Sequence, residues 1–239
     1  MIEIRTLHAL KDNFVYALLG PDHQCAVIDP GESAPVLDFL RRQNLRLTHI
    51  LATHHHADHV QGIPDLVDAF ACAVVASEHD RARVPLVSQA VSEAQPLSIW
   101  NQTIKVLDLP GHTLGQVAYW LQPEKALFPG DTLFSAGCGR LFEGTAEQMF
   151  HSLQKIKQLP TDTHIYFGHE YTVRNLEFVL SRQPENLKAK AYRENCLQRL
   201  AQGLPTTPSQ LDLELQVNPF LRVESVEEFR EWREARNYW

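Results

Sequence analysis

Four histidines and one aspartate stand within the seven residues of Thr53–His59, which read THHHADH. The apolar run Leu47–Ala52 precedes them directly and predicts a strand. A strand that ends in such a segment brings imidazole and carboxylate groups into one pocket, and these groups are the ligands that suit zinc, iron or manganese. The segment therefore predicts a metal site at the end of a strand.

The order of residues within this segment indicates which side chains face the metal. Alternate residues of an extended segment point the same way, so His54, His56 and Asp58 are expected to share a side while His55 turns away. His59 is expected at the start of the following helix, which Asp58 is also placed to cap. A solvated histidine-rich loop is the alternative. A purification tag is disfavoured, because a tag would stand at a terminus without an interleaved aspartate.

Three later segments each present one further side chain with metal affinity. In each, an apolar strand runs into a glycine and then into His112 (LPGHT), Asp131 (FPGDT) or His169 (YFGHE). Glycine lets the backbone turn sharply and approach a crowded centre. One such segment alone is more often an ordinary turn, but three beside a histidine-rich fourth indicate a common site. Asp29, at another strand end, is either a partner of a ligand imidazole or a turn residue.

The number of candidate ligands limits the chemistry. A single tetrahedral zinc takes four ligands, of which three come from the protein in a catalytic site. Seven groups suit two metals that share one carboxylate, with an exogenous hydroxide completing both coordination shells. Two neighbouring cations lower the pKa of the bridging water and keep hydroxide available near neutral pH, which predicts a hydrolase. The candidate ligands are His54, His56, Asp58, His59, His112, Asp131 and His169.

Composition restricts the remaining functions. The 22 basic and 29 acidic residues give a formal net charge of −7, which argues against general binding to nucleic acid or to an anionic membrane. No apolar run approaches the roughly 20 residues needed to cross a bilayer, and the N-terminus lacks the pattern of a signal peptide. The four cysteines lie far apart without a CxxC pair, as expected for reduced thiols of a cytoplasmic protein. Nothing in the sequence demands more than a monomer.

The order of predicted elements favours an α+β fold of sheets flanked by helices. Strands are expected at 2–7, 14–19, 24–28, 47–52, 73–76, 104–109, 117–121, 125–129 and 164–167. Helices are expected at 58–70 and 145–158, and a further helix is expected to begin at a capping Ser33. From Tyr171 onward the apolar periodicity is helical and no strand is predicted. Residues 1–172 are therefore expected to form one domain and residues 173–239 a smaller helical one.

At these motifs the sequence resembles a known family. THHHADH matches the THxHxDH motif of the metallo-β-lactamase superfamily, and PGHT, GDTLF and GHEYT follow in that superfamily's order. Three stretches further resemble its hydroxyacylglutathione hydrolase branch, glyoxalase II: GCGRLFEGT from Gly137, GHEYT from Gly168 and NPFLR from Asn218. The resemblance implies a four-layer αββα sandwich, followed by a helical domain that helps to bind glutathione.

The resemblance also implies a role for each matching residue. The first metal would be held by His54, His56 and His112, the second by Asp58, His59 and His169, and Asp131 would bridge them. Zinc is expected, with iron or manganese as alternatives. Glutathione would be bound by Arg140, Phe142, Tyr171, Arg233 and Arg236. The three arginines would supply the local positive patch that an anionic peptide needs in this acidic chain. Many members have tyrosine where Phe142 stands, so a hydroxyl contact to the peptide is expected to be absent.

These features predict hydrolysis of S-(2-hydroxyacyl)glutathione, such as S-D-lactoylglutathione, to glutathione and D-lactate, the second step of methylglyoxal detoxification. We expect a hydroxide bridging the two metals to attack the thioester carbonyl, with Asp58 also orienting it. A thiol pKa of about 8.5 makes thiolate an adequate leaving group, so no strong general acid is required. A persulfide dioxygenase with a single iron and a non-catalytic metal-storage module are the alternatives. The net charge disfavours a nuclease.

Overall fold

A computed structural model describes residues 2–239 of the chain. These residues divide into two compact units. The first comprises the chain up to Asp108 together with Gly115–Glu124, and the second comprises Leu109–Leu114 together with Lys125–Trp239. None of the helices in residues 2–239 combines the length and the apolar character that crossing a bilayer requires.

The first unit is built on a six-stranded sheet whose strand order follows the chain from β1 to β6. Strands β1 to β3 pair antiparallel, whereas β3 to β6 pair parallel. The central strands are almost entirely apolar and buried, as in sheets covered by helices. The strands are β1 Glu3–Ala9, β2 Asn13–Leu19, β3 Gln24–Ile28, β4 Arg46–Leu51, β5 Ala73–Ser77 and β6 Gln89–Val91.

Three helices lie between these strands: α1 Ser33–Gln43, α2 Ala57–Val60 and α3 Ile63–Phe70. Helix α1 buries Val36 and Leu40, which stand one turn apart, and it ends at Asn44 in the left-handed conformation (φ 52°). These side chains join apolar residues of β2 to β5 and of α3 in one core. The core thus fixes the ends of β3 and β4, from which the candidate ligands extend.

Local contacts correct three expectations in this unit. The helix expected over 58–70 is two helices, because the chain turns at Gly62 and donates the Gly62 N–H to the Pro30 carbonyl oxygen (2.9 Å). The capping position of α1 is Glu32 rather than Ser33, and that of α2 is His56 rather than Asp58. Asp58 is therefore helical, and its carboxylate is not used as a cap.

The first unit also contains three antiparallel strands, β7 Leu97–Ile99, β8 Gln102–Asp108 and β9 Val117–Leu121. Strand β9 is buried along its whole length. Its Tyr119 hydroxyl donates to the Ala52 carbonyl oxygen (2.9 Å), and the Val117 N–H donates to the Thr53 carbonyl oxygen (2.9 Å). These bonds hold the backbone that follows β4 and leads into the histidine-rich segment.

The strands of the second unit are short. Strand β13 His164–Ile165 pairs parallel with β10 Ala126–Phe128 and antiparallel with β14 Ser209–Gln210. A small hairpin joins β11 Leu133–Phe134 to β12 Gly137–Cys138. The expectation that no strand follows Tyr171 is wrong, because β14 lies in that region. Two residues are too few for a periodic pattern to predict a strand.

Six helices complete the second unit: α4 Ala146–Lys157, α5 Thr172–Arg182, α6 Leu187–Ala201, α7 Leu211–Val217, α8 Pro219–Arg222 and α9 Val226–Tyr238. Helix α4 begins with a capping box in which Thr145 and Gln148 exchange side-chain and backbone hydrogen bonds. Apolar residues of α5, α6 and α7 share one core. The helices after Tyr171 therefore pack on one another, as their apolar periodicity predicts.

Helix α7 holds the β11–β12 hairpin through buried polar groups. The Glu214 carboxylate accepts from the Ser135 hydroxyl (2.6 Å) and from the Ala136 N–H (2.8 Å). The Asn218 amide donates to the carbonyl oxygens of Phe134 (3.1 Å) and Gly137 (3.0 Å). The hairpin and the GCGR turn that follows it are thus positioned by a helix distant in sequence.

Candidate active site

The candidate ligands of the first unit follow strand β4. Strands β3 and β4 are parallel neighbours, so both end at the same edge of the sheet and Asp29 meets Thr53 there. The Asp29 carboxylate accepts from the Thr53 N–H and from the Thr53 hydroxyl, both at 2.7 Å. Its Oδ2 also lies 3.0 Å from Nδ1 of His59. Of the two roles expected for Asp29, this contact favours the first: the carboxylate orients the imidazole of the candidate ligand His59, so that Nε2 is the nitrogen that would bind a metal.

The first two histidines of the segment converge on one point. His54 Nε2 and His56 Nδ1 lie 3.1 Å apart. Two nitrogens that bind one zinc at about 2.0–2.1 Å with tetrahedral angles are roughly 3.3 Å apart, so this pair can chelate a single ion. His54 Nδ1 lies 3.1 Å from the Thr53 hydroxyl. His55 turns away, as the alternation predicts, and its Nδ1 lies 3.3 Å from Oδ2 of the buried Asp80.

Asp58 and His59 are placed by the short helix α2. The Asn13 amide donates to the Asp58 carboxylate and to its carbonyl oxygen, both at 3.1 Å. His59 Nε2 lies 3.8 Å from Asp58 Oδ2, so both groups face the same side. Gly31 allows this approach, because a Cβ there would overlap the Asp58 carbonyl oxygen. The first unit thus brings together its four predicted ligands, which are His54, His56, Asp58 and His59.

Asp131 and His169 belong to the second unit, and the pairing of its strands brings them together. They follow the parallel neighbours β10 and β13, whose carboxyl ends share one sheet edge. The two glycine turns are also joined, because the Gly168 N–H donates to the Gly130 carbonyl oxygen (3.3 Å). Asp131 Oδ2 lies 3.4 Å from His169 Nε2 and 3.5 Å from His112 Nε2. A carboxylate that faces two imidazoles at nearly equal distances can bridge two cations.

His112 is oriented by the GCGRLFEGT segment. Its Nδ1 donates to the Arg140 carbonyl oxygen (2.8 Å), which directs Nε2 towards Asp131. The Phe142 N–H in turn donates to the His112 carbonyl oxygen (3.1 Å). At Gly139 a Cβ would overlap the Asp131 carbonyl oxygen and lie 3.1 Å from His112 Nδ1. Glycine is therefore required at this position for space.

The donor set of each unit fits a divalent cation. Imidazole and carboxylate are the groups that zinc, iron and manganese accept. His59 and His112 each have their opposite ring nitrogen held by an acceptor, which fixes the tautomer that binds metal through Nε2. Groups of three donors whose ligand atoms lie within 4.8 Å of one another include Asp29, His54 and His59. The chain therefore carries the elements of a divalent metal centre.

A cavity of about 280 Å³ in the second unit adjoins His112 and Asp131. All five residues expected to bind glutathione line it, namely Arg140, Phe142, Tyr171, Arg233 and Arg236. The Tyr171 ring stacks on the His169 ring at a centroid distance of 4.8 Å. Phe142 is 60% exposed, and its ring lies edge-on to His112 at 5.3 Å. The cavity thus connects two candidate ligands, His112 and Asp131, to an aromatic and cationic wall.

The two arginines of α9 that line the cavity are held differently. Arg233 is buried, and its guanidinium donates to the carbonyl oxygens of Cys138 (2.8 Å) and Gly139 (3.3 Å), so it supports the turn that orients His112. Arg236 donates to Asn175 Oδ1 (3.4 Å). Burial, followed by the positive charge of neighbouring arginines, lowers the pKa of Arg236. Sequence reasoning missed Arg174 and Asn175, which also line the cavity. Their position two and three residues after the GHEYT motif is the signal that could have indicated them.

Comparison with known proteins identifies the class of protein. The model of the metallo-beta-lactamase superfamily matches residues 13–93 and 101–169, and the model described as hydroxyacylglutathione hydrolase C-terminus matches residues 170–239. A crystal structure of ETHE1 from Myxococcus xanthus has a TM-score of 0.76 at 26% identity and covers 98% of this chain and 91% of that one. The fold and the site together are those of the metallo-β-lactamase superfamily, which confirms the predicted fold class.

More similar relatives identify the family. The hydroxyacylglutathione hydrolase of Aliivibrio salmonicida is 47% identical over 224 residues, covering 93% of this chain and 87% of the relative. That of Bdellovibrio bacteriovorus is 45% identical over 235 residues, covering 95% and 94%. The chain belongs to the hydroxyacylglutathione hydrolase family, and the predicted enzyme class, a metal-dependent thioester hydrolase, is confirmed.

Proposed function

We propose that this chain hydrolyses S-(2-hydroxyacyl)glutathione, in particular S-D-lactoylglutathione, to glutathione and D-lactate, the second step of methylglyoxal detoxification. The observation that carries the proposal is the cavity whose lining joins His112 and Asp131 to four arginines. Glutathione is an anionic peptide, and arginine binds carboxylates through two parallel hydrogen bonds. The relatives at 45–47% identity carry the same family name.

We propose that seven side chains hold two divalent cations, with zinc the first choice and iron or manganese as alternatives. His54, His56 and His112 would bind one ion, and Asp58, His59 and His169 the other. Asp131 would bridge them. The 3.1 Å separation of His54 Nε2 and His56 Nδ1 and the nearly equal distances from Asp131 to its two imidazoles support this division.

When bound, such a pair of cations lowers the pKa of a water between them and polarises a carbonyl oxygen. The residues of the chain then determine orientation. Asp58, held by the Asn13 amide, is placed to accept a hydrogen bond from the attacking water. Tyr171 and Phe142 flank the thioester, and arginines hold the peptide carboxylates. The thiolate leaves without a general acid, since its conjugate thiol has a pKa of about 8.5.

We assign glutathione binding to the helical domain 173–239, together with the GCGR turn. Support comes from α5 and α9, which contribute Arg174, Asn175, Arg233 and Arg236 to the cavity. We further propose that the enzyme is a monomer of the cytoplasm. The four cysteines are free and buried, which suits a reducing compartment.

Thioester hydrolysis measured beside metal content tests the proposal. Asp131→Asn should lower bound metal and turnover together, because a neutral amide bridges two cations poorly. Arg236→Ala should mainly raise KM. A wild-type chain that holds two metals and leaves S-D-lactoylglutathione intact would refute the function. Consumption of oxygen with a persulfide substrate would instead favour a dioxygenase, and inertness towards thioesters and esters would favour metal storage.

A further inference from the structure

Arg174 is one of the four arginines that line the cavity, but the function proposed above gives it no role of its own. It stands in the first turn of α5 (Thr172–Arg182), where the helix dipole disfavours a positive charge, and this turn carries no acidic residue that would offset it. Among the described residues that line the cavity, only Asp131 carries a carboxylate, and Asp131 faces His112 and His169. Arg174 is exposed, so water solvates its charge, and the cavity leaves room for an anion beside it.

Arg174 is part of a concentration of positive charge. Four of the residues that line the cavity are arginines: Arg140, Arg174, Arg233 and Arg236. After burial, the charges of Arg233 and Arg174 are the largest causes that lower the pKa of Arg236, so Arg174 is close enough to act on it. Arg233 is only 6% exposed, and its Nε has no hydrogen-bond partner. The cavity wall thus concentrates positive charge, and a bound carboxylate would offset the repulsion between the arginines.

The backbone that carries Arg174 is anchored next to Arg236. The following residue, Asn175, is buried and donates through its amide to the Ser135 carbonyl oxygen (3.0 Å). The Oδ1 of the same side chain accepts from Arg236 Nη2 (3.4 Å). Asn175 of α5 therefore links this helix to Arg236 of α9, and each helix contributes one guanidinium group to the cavity, Arg174 and Arg236. Both guanidinium groups line the same cavity, where one carboxylate can accept hydrogen bonds from each.

Resting on the proposed function, we infer that Arg174 is a specificity-determining residue that binds the glycine carboxylate of the glutathione moiety together with Arg236. The two ends of the peptide differ in charge. The γ-glutamyl end carries an ammonium beside its carboxylate and is neutral overall, so it needs an acceptor that this arginine-lined wall does not offer. The glycine end carries a carboxylate alone. A wall rich in arginine and poor in carboxylate therefore selects the glycine end.

Steady-state kinetics of Arg174→Ala, Arg174→Lys and Arg182→Ala test the inference. Arg182 is the matched control, because it is an exposed arginine of the same helix that lies over the Trp232 ring (5.0 Å) and does not line the cavity. Two substrates are compared: S-D-lactoylglutathione and its ethyl ester at the glycine carboxylate. With the first substrate, Arg174→Ala should raise KM roughly five- to thirtyfold with kcat within about twofold of wild type.

The ester separates a carboxylate contact from a structural effect. Wild type should bind the ester more weakly than the acid, and Arg174→Ala should cause no further loss with it. Arg174→Lys should recover part of the affinity for the acid, because the charge remains but the paired hydrogen bonds do not. Arg182→Ala should match wild type with both substrates.

Failure of the inference is distinguishable from failure of the proposed function. If wild type cleaves S-D-lactoylglutathione and Arg174→Ala has an unchanged KM, or loses as much affinity for the ester as for the acid, the inference is wrong and the proposed function stands. If wild type cleaves no glutathione thioester, the function is wrong. Calorimetric titration with glutathione then decides the inference, and equal Kd values for wild type and Arg174→Ala overturn it.

Discussion

Replacing Asp29 by asparagine asks whether this buried carboxylate prepares His59 to bind metal. Asparagine keeps the size of the side chain but turns one acceptor oxygen into an amide donor. If its oxygen stays on the Thr53 N–H, the amide nitrogen faces the Thr53 hydroxyl and His59 Nδ1. A hydroxyl can rotate and accept. The imidazole can accept only if its proton moves to Nε2, and that tautomer cannot bind metal through Nε2.

The magnitude follows from these contacts. Removing the partner that fixes the tautomer of a ligand histidine costs about 10- to 100-fold in metal affinity. Exchanging one hydrogen bond to a charged acceptor for a weaker one should lower the free energy of unfolding of the metal-free chain by about 1–3 kcal/mol. Asp29 is only 4% exposed, so water cannot replace the lost acceptor.

Chelator competition measures the metal affinity, and urea unfolding of the metal-free protein measures stability. Asp65→Asn is the control, because Asp65 is an exposed aspartate of α3 that accepts from the Ser33 hydroxyl (2.7 Å) and has no ligand beside it. It should match wild type in both measurements. A folded Asp29→Asn chain whose metal affinity lies within twofold of wild type would refute the role assigned to Asp29.

Three further outcomes are expected. Gly139→Ala should lower the free energy of unfolding by roughly 3 kcal/mol, since the new Cβ meets the Asp131 carbonyl oxygen and backbone cannot give way as a flexible side chain can; urea unfolding checks this, and an unchanged midpoint contradicts it. Phe142→Tyr should lower KM for S-D-lactoylglutathione about two- to tenfold by adding a hydroxyl to the cavity wall, whereas a higher KM would show that the hydroxyl finds no partner there. Burial raises the pKa of Cys25 to about 12 and that of Cys196 to about 11, and it also raises the pKa of the Cys72 and Cys138 thiols. A disulfide reagent at pH 8 should therefore detect almost no thiol in the native chain and four in urea; rapid native labelling would show that a thiol is open to solvent.

Elements whose signals are local could be predicted from the sequence. Strand β3 is a short apolar run, and helix α4 begins at the Thr145 capping box, so the signal of each lies within the element or directly beside it. The break at Gly62 and the strand β14 depend instead on partners distant in sequence, which are the Pro30 carbonyl oxygen and strand β13. A periodic pattern carries no information about such partners.

In the candidate site, too, some residues could be predicted from the sequence and others only from the tertiary structure. Glycine turns and the histidine-rich segment point to the candidate metal ligands because ligand chemistry restricts the residue types that can occupy those turns, and this information is present in the sequence itself. The neighbours that orient two candidate ligands have no distinguishing signal in the sequence: they are Asp29 beside His59 and the Arg140 carbonyl oxygen beside His112. Only the tertiary structure identifies them, because parallel strands that end at one edge and helices that share one anchor bring together groups that are separated along the chain.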